Sequence, residues 1–240
     1  MADDSSNSAP RRRAPSVRIA FQTLGRTLRH AYENIGTIII VSVLWYIGAL
    51  LILPIGVVTA AVYRVTKPMT EERAANWRDF FMHLRNDVRW SSEHVGVLVF
   101  GFSLILINLR FYAAAPWPAL QMVAAVFLVL LVIWSSIALY AFPLALRQQE
   151  QRLGTTLRNA FVMTMANAPG ALVSLILLLL VAGLLLLVPP LFVLLPGIIA
   201  LWGQENARLL LVVPGFLPQD EFADRFLEQD TDSQQRRRRR

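Results

Sequence analysis

The sequence predicts an all-α integral membrane protein, a helical bundle of about five to six membrane arms. Of its 240 residues 55% are hydrophobic and only 16% are charged, whereas soluble domains carry about a quarter charged residues. Asp, Glu, Lys and Arg are absent from residues 34–63, 94–109, 111–146 and 159–204. A helix that rises ~1.5 Å per residue needs about 20 apolar residues to cross ~30 Å of hydrocarbon. Most of these runs reach that length, and buried helices of soluble proteins rarely do.

The amino-terminal 33 residues predict a tail followed by an interfacial helix. Residues 1–15 are small and polar and contain Arg11, Arg12 and Arg13, which is typical of a disordered basic tail. From residue 17 onward, apolar side chains recur at helical spacing, with most arginines elsewhere on the helix; the apolar set is Val17, Phe21, Leu24, Leu28 and Ala31. Such an amphipathic helix suits the headgroup layer. The apolar run that follows is too long for the core of a cleavable signal peptide, so we expect a retained membrane segment.

Prolines interrupt the apolar stretches and predict turns. They occur at Pro54, at Pro116 and Pro118, and at Pro189 and Pro190. Proline removes a backbone donor and clashes with the preceding helical turn, so an uninterrupted helix through these positions is unfavourable. We therefore expect three proline-tipped hairpins, with broken helices that expose backbone groups to a substrate as the alternative. The first return arm, residues 55–66, is short for a full crossing and could instead be re-entrant and covered by other helices.

A weak repeat accompanies these hairpins. The pairs Leu28-Arg29, Leu84-Arg85 and Leu157-Arg158 each lie on a short amphipathic segment. Each pair is followed by a glycine at the predicted membrane entry, namely Gly36, Gly96 and Gly170. The irregular spacing leaves two interpretations open, a threefold hairpin architecture or a coincidence within an apolar sequence.

The distribution of positive charge predicts the orientation. If each proline break lies on the far side of the membrane, 22 of the 23 Lys and Arg residues fall on the near side and Arg110 alone lies opposite. If residues 35–63 form a single crossing, sixteen positive residues move to the other side. The positive-inside rule favours the hairpin arrangement, with both termini in the cytoplasm.

Few residues in the apolar stretches could carry chemistry. Cysteine is absent, which excludes disulfides, thiolate metal sites and cysteine nucleophiles. His30, His83 and His94 fall outside the predicted spans and lack metal-ligand spacing. We expect Arg110 to reach the interface, with an anion site as the alternative. Glu205 is expected at the interface beside Asn206 or Arg208, with a buried proton acceptor as the alternative.

Small and polar residues at membrane depth predict close helix packing more than a pore. The polar set is Ser42, Ser103, Asn108, Ser135, Ser136 and Ser174, and the glycines are Gly48, Gly101 and Gly183. Such residues let helix backbones approach and hydrogen-bond across helices. We find no catalytic triad, no phosphate-binding glycine loop, no cofactor motif and no metal site in the sequence, and we expect no enzymatic activity.

Several segments resemble the YesL-like family of bacterial membrane proteins (domain of unknown function 624). The similarity covers roughly residues 29–213 and rests on the motifs LPIGVVTAAVY at 53–63, WRDFF at 77–81, YAFPL at 140–144, LRNA at 157–160, NAP at 167–169 and LPG at 195–197. The resemblance implies a bacterial inner-membrane protein of unestablished activity. Some members of the family are encoded near genes for carbohydrate uptake and degradation.

We therefore expect a transmembrane domain at residues 16–213, between the basic tail at 1–15 and a charged cytoplasmic tail at 214–240. The predicted function is a non-enzymatic scaffold or an accessory or regulatory component of another membrane system, such as a sugar transporter. The alternative is a facilitator of a small neutral solute. The remaining expected partners are the bilayer and its anionic lipids, which Arg236–Arg240 would attract. We expect no nucleic acid, because no folded reading module accompanies that arginine run.

Overall fold

The computed structural model describes residues 16–50, 55–148 and 151–212. The tails at 1–15 and 214–240, the terminal arginine run and Pro54 therefore lie outside the described residues. Within them every regular element is an α-helix. The helices are α1 (Ser16–Glu33), α2 (Ile35–Leu50), α3 (Ile55–Thr70), α4 (Asp79–Asn86), α5 (Val88–Ala113), α6 (Pro118–Ala145), α7 (Leu153–Ala166), α8 (Ala168–Leu187), α9 (Pro189–Phe192) and α10 (Leu195–Val212).

Three of these helices, α5, α6 and α8, are long and apolar enough to cross a membrane. Helices α1 and α2 together also reach the required length, but they meet at a 92° bend beside Asn34. The prediction of an all-helical protein with membrane-spanning helices is thus confirmed by the length and composition of these helices. The number of membrane arms and the proline-tipped hairpins stay predictions.

The first helix buries a second face, in addition to the apolar face that is predicted to lie in the headgroup layer. Val17, Phe21 and Leu28 of the predicted apolar face are exposed, as contact with lipid would require. The opposite face carries smaller and polar residues and packs against α8 and α10. Its buried members are Ile19, Ala20, Thr23, Thr27 and His30. Helix α1 is therefore part of the bundle as well as amphipathic.

Helix α3 lies at the centre of the bundle. Eleven of its sixteen residues are buried, and it contacts α2, α4, α5, α6 and α10. The expectation that this arm is covered by other helices is therefore confirmed. Its start and its middle both lie beside the start of α5: the backbone of Gly56 approaches Ser91, and Arg64 pairs with Asp87. Helix α3 therefore stays near the first turns of α5.

Helices α5 and α6 pack along each other and extend beyond the rest of the bundle. The buried residues of α5 are Ser91, His94 and Leu98, and those of α6 begin at Ser136. Between these positions, residues 99–135 include none that is buried. We call this two-helix segment the α5–α6 extension. The Trp134 indole donates to the Leu98 carbonyl at its base (3.0 Å).

Candidate functional site

Three consecutive residues of α10 are polar and buried. Gln204, Glu205 and Asn206 are 0%, 0% and 1% exposed. Consecutive helical residues point about 100° apart, since a turn holds 3.6 residues, so the three side chains reach different neighbours. We call these residues and their partners the polar cluster.

Gln204 connects α10 to the middle of α3 and to the end of α6. Its Nε2 donates to the Tyr63 carbonyl of α3 (3.1 Å). Its Oε1 accepts from Nη2 of Arg147, two residues past α6 (3.4 Å). Buried polar groups are costly unless they are hydrogen-bonded, so both contacts favour this arrangement of the three helices.

Asn206 connects α10 to α6 and α8. Its Nδ2 donates to Ser174 Oγ (2.6 Å) and to the Tyr140 hydroxyl (3.2 Å). The Trp202 indole, one turn earlier on α10, donates to the same Ser174 oxygen (2.9 Å). Ser174 thus mediates helix contact, as the sequence predicts.

Glu205 faces α1 and is buried within the protein, whereas its predicted place near the membrane interface stays a prediction. Its Oε1 lies 3.2 Å from His30 Nε2, within ion-pair range although not in hydrogen-bond geometry. Asn206, one of its expected partners, binds α6 and α8 instead. Glu205 lies three residues past Trp202, where the last apolar stretch ends. There burial raises the pKa of Glu205, and nearby basic groups, Arg208 foremost, oppose this effect.

The prediction that His94 lies outside the membrane spans is wrong. It lies in α5, a candidate membrane span, and is fully buried. Its Nδ1 is 2.7 Å from the Trp90 carbonyl. The sequence expectation failed because His94 directly follows the charged segment, whereas α5 starts six residues earlier. Among the described residues, no group of three His, Asp or Glu side chains is placed to hold a metal ion.

A second polar contact fixes the start of α5. Asp87, 3% exposed, precedes α5 and accepts hydrogen bonds from Nε and Nη2 of Arg64. It also accepts from the Trp90 indole (2.8 Å). Three N–H groups from two side chains thus hold this buried carboxylate. The pair of Arg64 and Asp87 connects α3 to the start of α5.

The other small and polar residues at depth divide into two groups. Gly48 approaches Val58, Gly101 approaches the Trp134 ring, and Ser42 Oγ accepts from the Gly197 amide (3.0 Å). These three residues pack helices together as predicted. Gly183 has no atom of another residue within 4 Å of its Cβ position, and three side chains hydrogen-bond only within their own helix, namely Asn108, Ser135 and Ser136.

A cavity of about 440 Å³ lies between α2, α3, α5, α6 and the α9–α10 region. Its aromatic lining residues are Trp45, Tyr46, Tyr63, Phe142 and Phe192, and we call it the aromatic cavity. The Tyr63 and Phe142 rings stack at 5.2 Å. Its volume and mainly apolar lining are those of small-molecule sites.

Three of the four polar side chains that line this cavity are engaged within the protein, and the fourth is that of Tyr63. The Trp45 indole donates to Thr59 Oγ1 (3.1 Å), which donates in turn to the Ile55 carbonyl (2.7 Å). The Tyr46 hydroxyl donates to the Phe192 carbonyl (3.1 Å). The lining contains no charged side chain. The cavity therefore suits an uncharged, apolar ligand.

The sequence around Gln204, Glu205 and Asn206 indicates that their helix continues past them. Leu209, Leu210 and Leu211 follow Arg208 directly, so an apolar helix resumes after the polar residues. Comparisons with family models, with curated proteins and with solved structures match nothing.

Proposed function

We propose that this chain is a multi-pass plasma-membrane protein without enzymatic activity, which acts as an accessory or regulatory component of another membrane system. The α5–α6 extension carries the proposal. Its two apolar helices contact each other and leave most of their surface free for lipid or for another protein's helices. The resemblance to the YesL-like family, and the link to carbohydrate uptake that it implies, belong to this proposal.

The surface of the extension suits helix association. Phe100, Ile107 and Phe111 are 69%, 67% and 68% exposed. Ser103 is exposed between them and is the kind of small residue that lets membrane helices approach. Within the bundle, by contrast, the buried polar groups of α10 are used for internal contacts. A partner helix is therefore expected along α5 and α6.

The proposed topology places both termini in the cytoplasm. Helix α5 crosses outward and α6 returns, and α8 crosses outward and residues 191–202 return. The charge distribution supports this topology. The proximity of Gly56 to Ser91 supports a re-entrant first hairpin, because α5 begins on the cytoplasmic side in this arrangement. A re-entrant hairpin returns the chain to the same side, so the orientation of the later spans is unchanged.

Passage of a neutral sugar is less well supported than the accessory role. A sugar needs hydrogen-bonding partners along its path, since hydroxyl groups are costly to leave unpaired. Trp45, Thr59 and Tyr46 have their polar atoms engaged within the protein. The cavity thus favours apolar contents.

Site-specific photo-crosslinking in living cells tests the accessory role. A photoreactive phenylalanine analogue would replace Phe100 on the extension, and a matched control would replace Leu180 on α8. The two positions are 69% and 65% exposed, so both contact lipid equally well. We expect a defined protein adduct from position 100 and none, or a different one, from position 180.

Purification in mild detergent provides a second readout. The tagged chain should recover the protein that is crosslinked at position 100. Lipid adducts alone at both positions, together with repeated recovery of the chain without a partner, would contradict the accessory role.

A further inference from the structure

We propose that the aromatic cavity binds one acyl chain of a membrane lipid. The inference does not depend on the accessory role, because the cavity lies within the bundle and not on the α5–α6 extension. Its basis is the chemistry of the lining and the position of the cavity mouth.

The lining selects an uncharged, apolar occupant. Its thirteen residues include no Asp, Glu, Lys, Arg or His. The polar atoms of Trp45, Thr59 and Tyr46 already have protein partners, so they have little left to offer a polar ligand. A hydrocarbon chain has no polar group to satisfy and gains from contact with aromatic and aliphatic side chains.

The mouth of the cavity identifies the bilayer as the source of the occupant. Phe192 is the one lining residue that is exposed (37%), so the opening lies beside it. Exposed aliphatic residues adjoin lining residues along the chain: Ile47 directly follows Tyr46, which contacts Phe192, and Leu191 directly precedes Phe192. A surface of this kind faces hydrocarbon in a membrane protein, and an acyl chain can enter from there without crossing water.

Helices from both halves of the chain enclose the occupant. Leu98 of α5 and Ala138 of α6 lie on one wall, and Ile199 of α10 lies on another. A bulky side chain at one of these positions would fill the space. Ala138 is the best position for this test, because its methyl group lines the cavity and it can be matched to Ala125, which is exposed on the same helix.

Photolabelling of the full-length protein tests the proposal. The protein would be reconstituted in phosphatidylcholine vesicles in which a fraction of the lipid carries a diazirine within one acyl chain. After irradiation, mass spectrometry would locate the labelled residues. We expect label on cavity residues such as Tyr46 and Phe192 at a level well above that on exposed positions of α5.

Ala138→Trp should reduce the cavity label to the level of the exposed positions, and the matched control Ala125→Trp should leave it unchanged. Ile199→Phe is the second filling variant if Ala138→Trp does not fold. Equal cavity labelling in the filled and control variants would overturn the proposal. Labelling of the cavity by a photoreactive neutral sugar in place of the lipid would also overturn it.

Discussion

Gln204, Glu205 and Asn206 follow one another in the chain, yet each contacts a different part of the bundle. Gln204 reaches α3 and Arg147, Glu205 faces His30 of α1, and Asn206 reaches α6 and α8. Polar residues buried within a membrane protein commonly mark function. Here they hold helices in place, and α10 is the helix to which the others are fastened.

The buried carboxyl of Glu205 predicts a pH dependence of stability. Burial raises its pKa in the folded state above the unfolded value of about 4.5, so the folded protein retains a proton that the unfolded chain loses. Its contribution to stability is therefore full below pH 4.5 and falls as the pH rises through the folded-state pKa. Glu205→Gln cannot titrate, so it should lose less stability than the native protein over this range.

Thermal unfolding in detergent across this pH range measures the effect. Glu93→Gln, which removes an exposed carboxylate on α5, serves as the matched control and should follow the native curve. If Glu205→Gln instead became less stable relative to the native protein as the pH rose, a charged Glu205 would be required and the interpretation would be wrong.

At the scale of the elements, close contact with α5 fixes the position of α3. A Cβ atom at Gly56 would lie 2.6 Å from the Ser91 carbonyl oxygen, closer than real Cβ contacts allow. Arg64 and Asp87 hold the next part of α3 at the same end of α5. Residue size at position 56 therefore controls the approach of the two helices.

Gly56→Ala should force α3 and α5 apart and destabilise the protein by about 1–3 kcal/mol, the usual cost of overpacking. Gly96→Ala is the matched control on α5, where no neighbouring atom lies within 4 Å. The control should be neutral or stabilise by up to ~1 kcal/mol, since alanine favours helix interiors. Equal effects of the two substitutions on unfolding in detergent would contradict the close contact at Gly56.

At the scale of the whole molecule, the long apolar helices could be predicted from sequence and their packing could not. Charge-free runs of sufficient length predict α6 and α8, and a shorter run bounded by Glu93 and Arg110 predicts α5, because hydrocarbon excludes charge over a fixed thickness. The buried faces of α1 escaped prediction, since Thr23, Thr27 and His30 are buried through contacts with α8 and α10. Such faces depend on partners distant in sequence, and periodicity carries no information about those partners.

The burial of Glu205 escaped prediction for the same reason. Its burial depends on α1 folding back against α10, across 175 residues of chain. By contrast, the predicted packing role of Gly48 and Gly101 holds, because small residues within apolar helices allow close approach whichever helix is the neighbour.

Single-cysteine labelling tests the central claim, the proposed topology in which both termini are cytoplasmic and α5 and α6 cross the membrane outward and back. The chain contains no cysteine, so each introduced thiol is unambiguous. The positions are Leu50, which is 82% exposed and ends α2, Glu71, Ala114, Gln148 and Pro190. With an impermeant reagent applied to intact cells, we expect positions 114 and 190 to react and positions 50, 71 and 148 to stay unlabelled. Reaction at position 50 would contradict the re-entrant first hairpin, and reaction at position 71 from outside would overturn the topology as a whole.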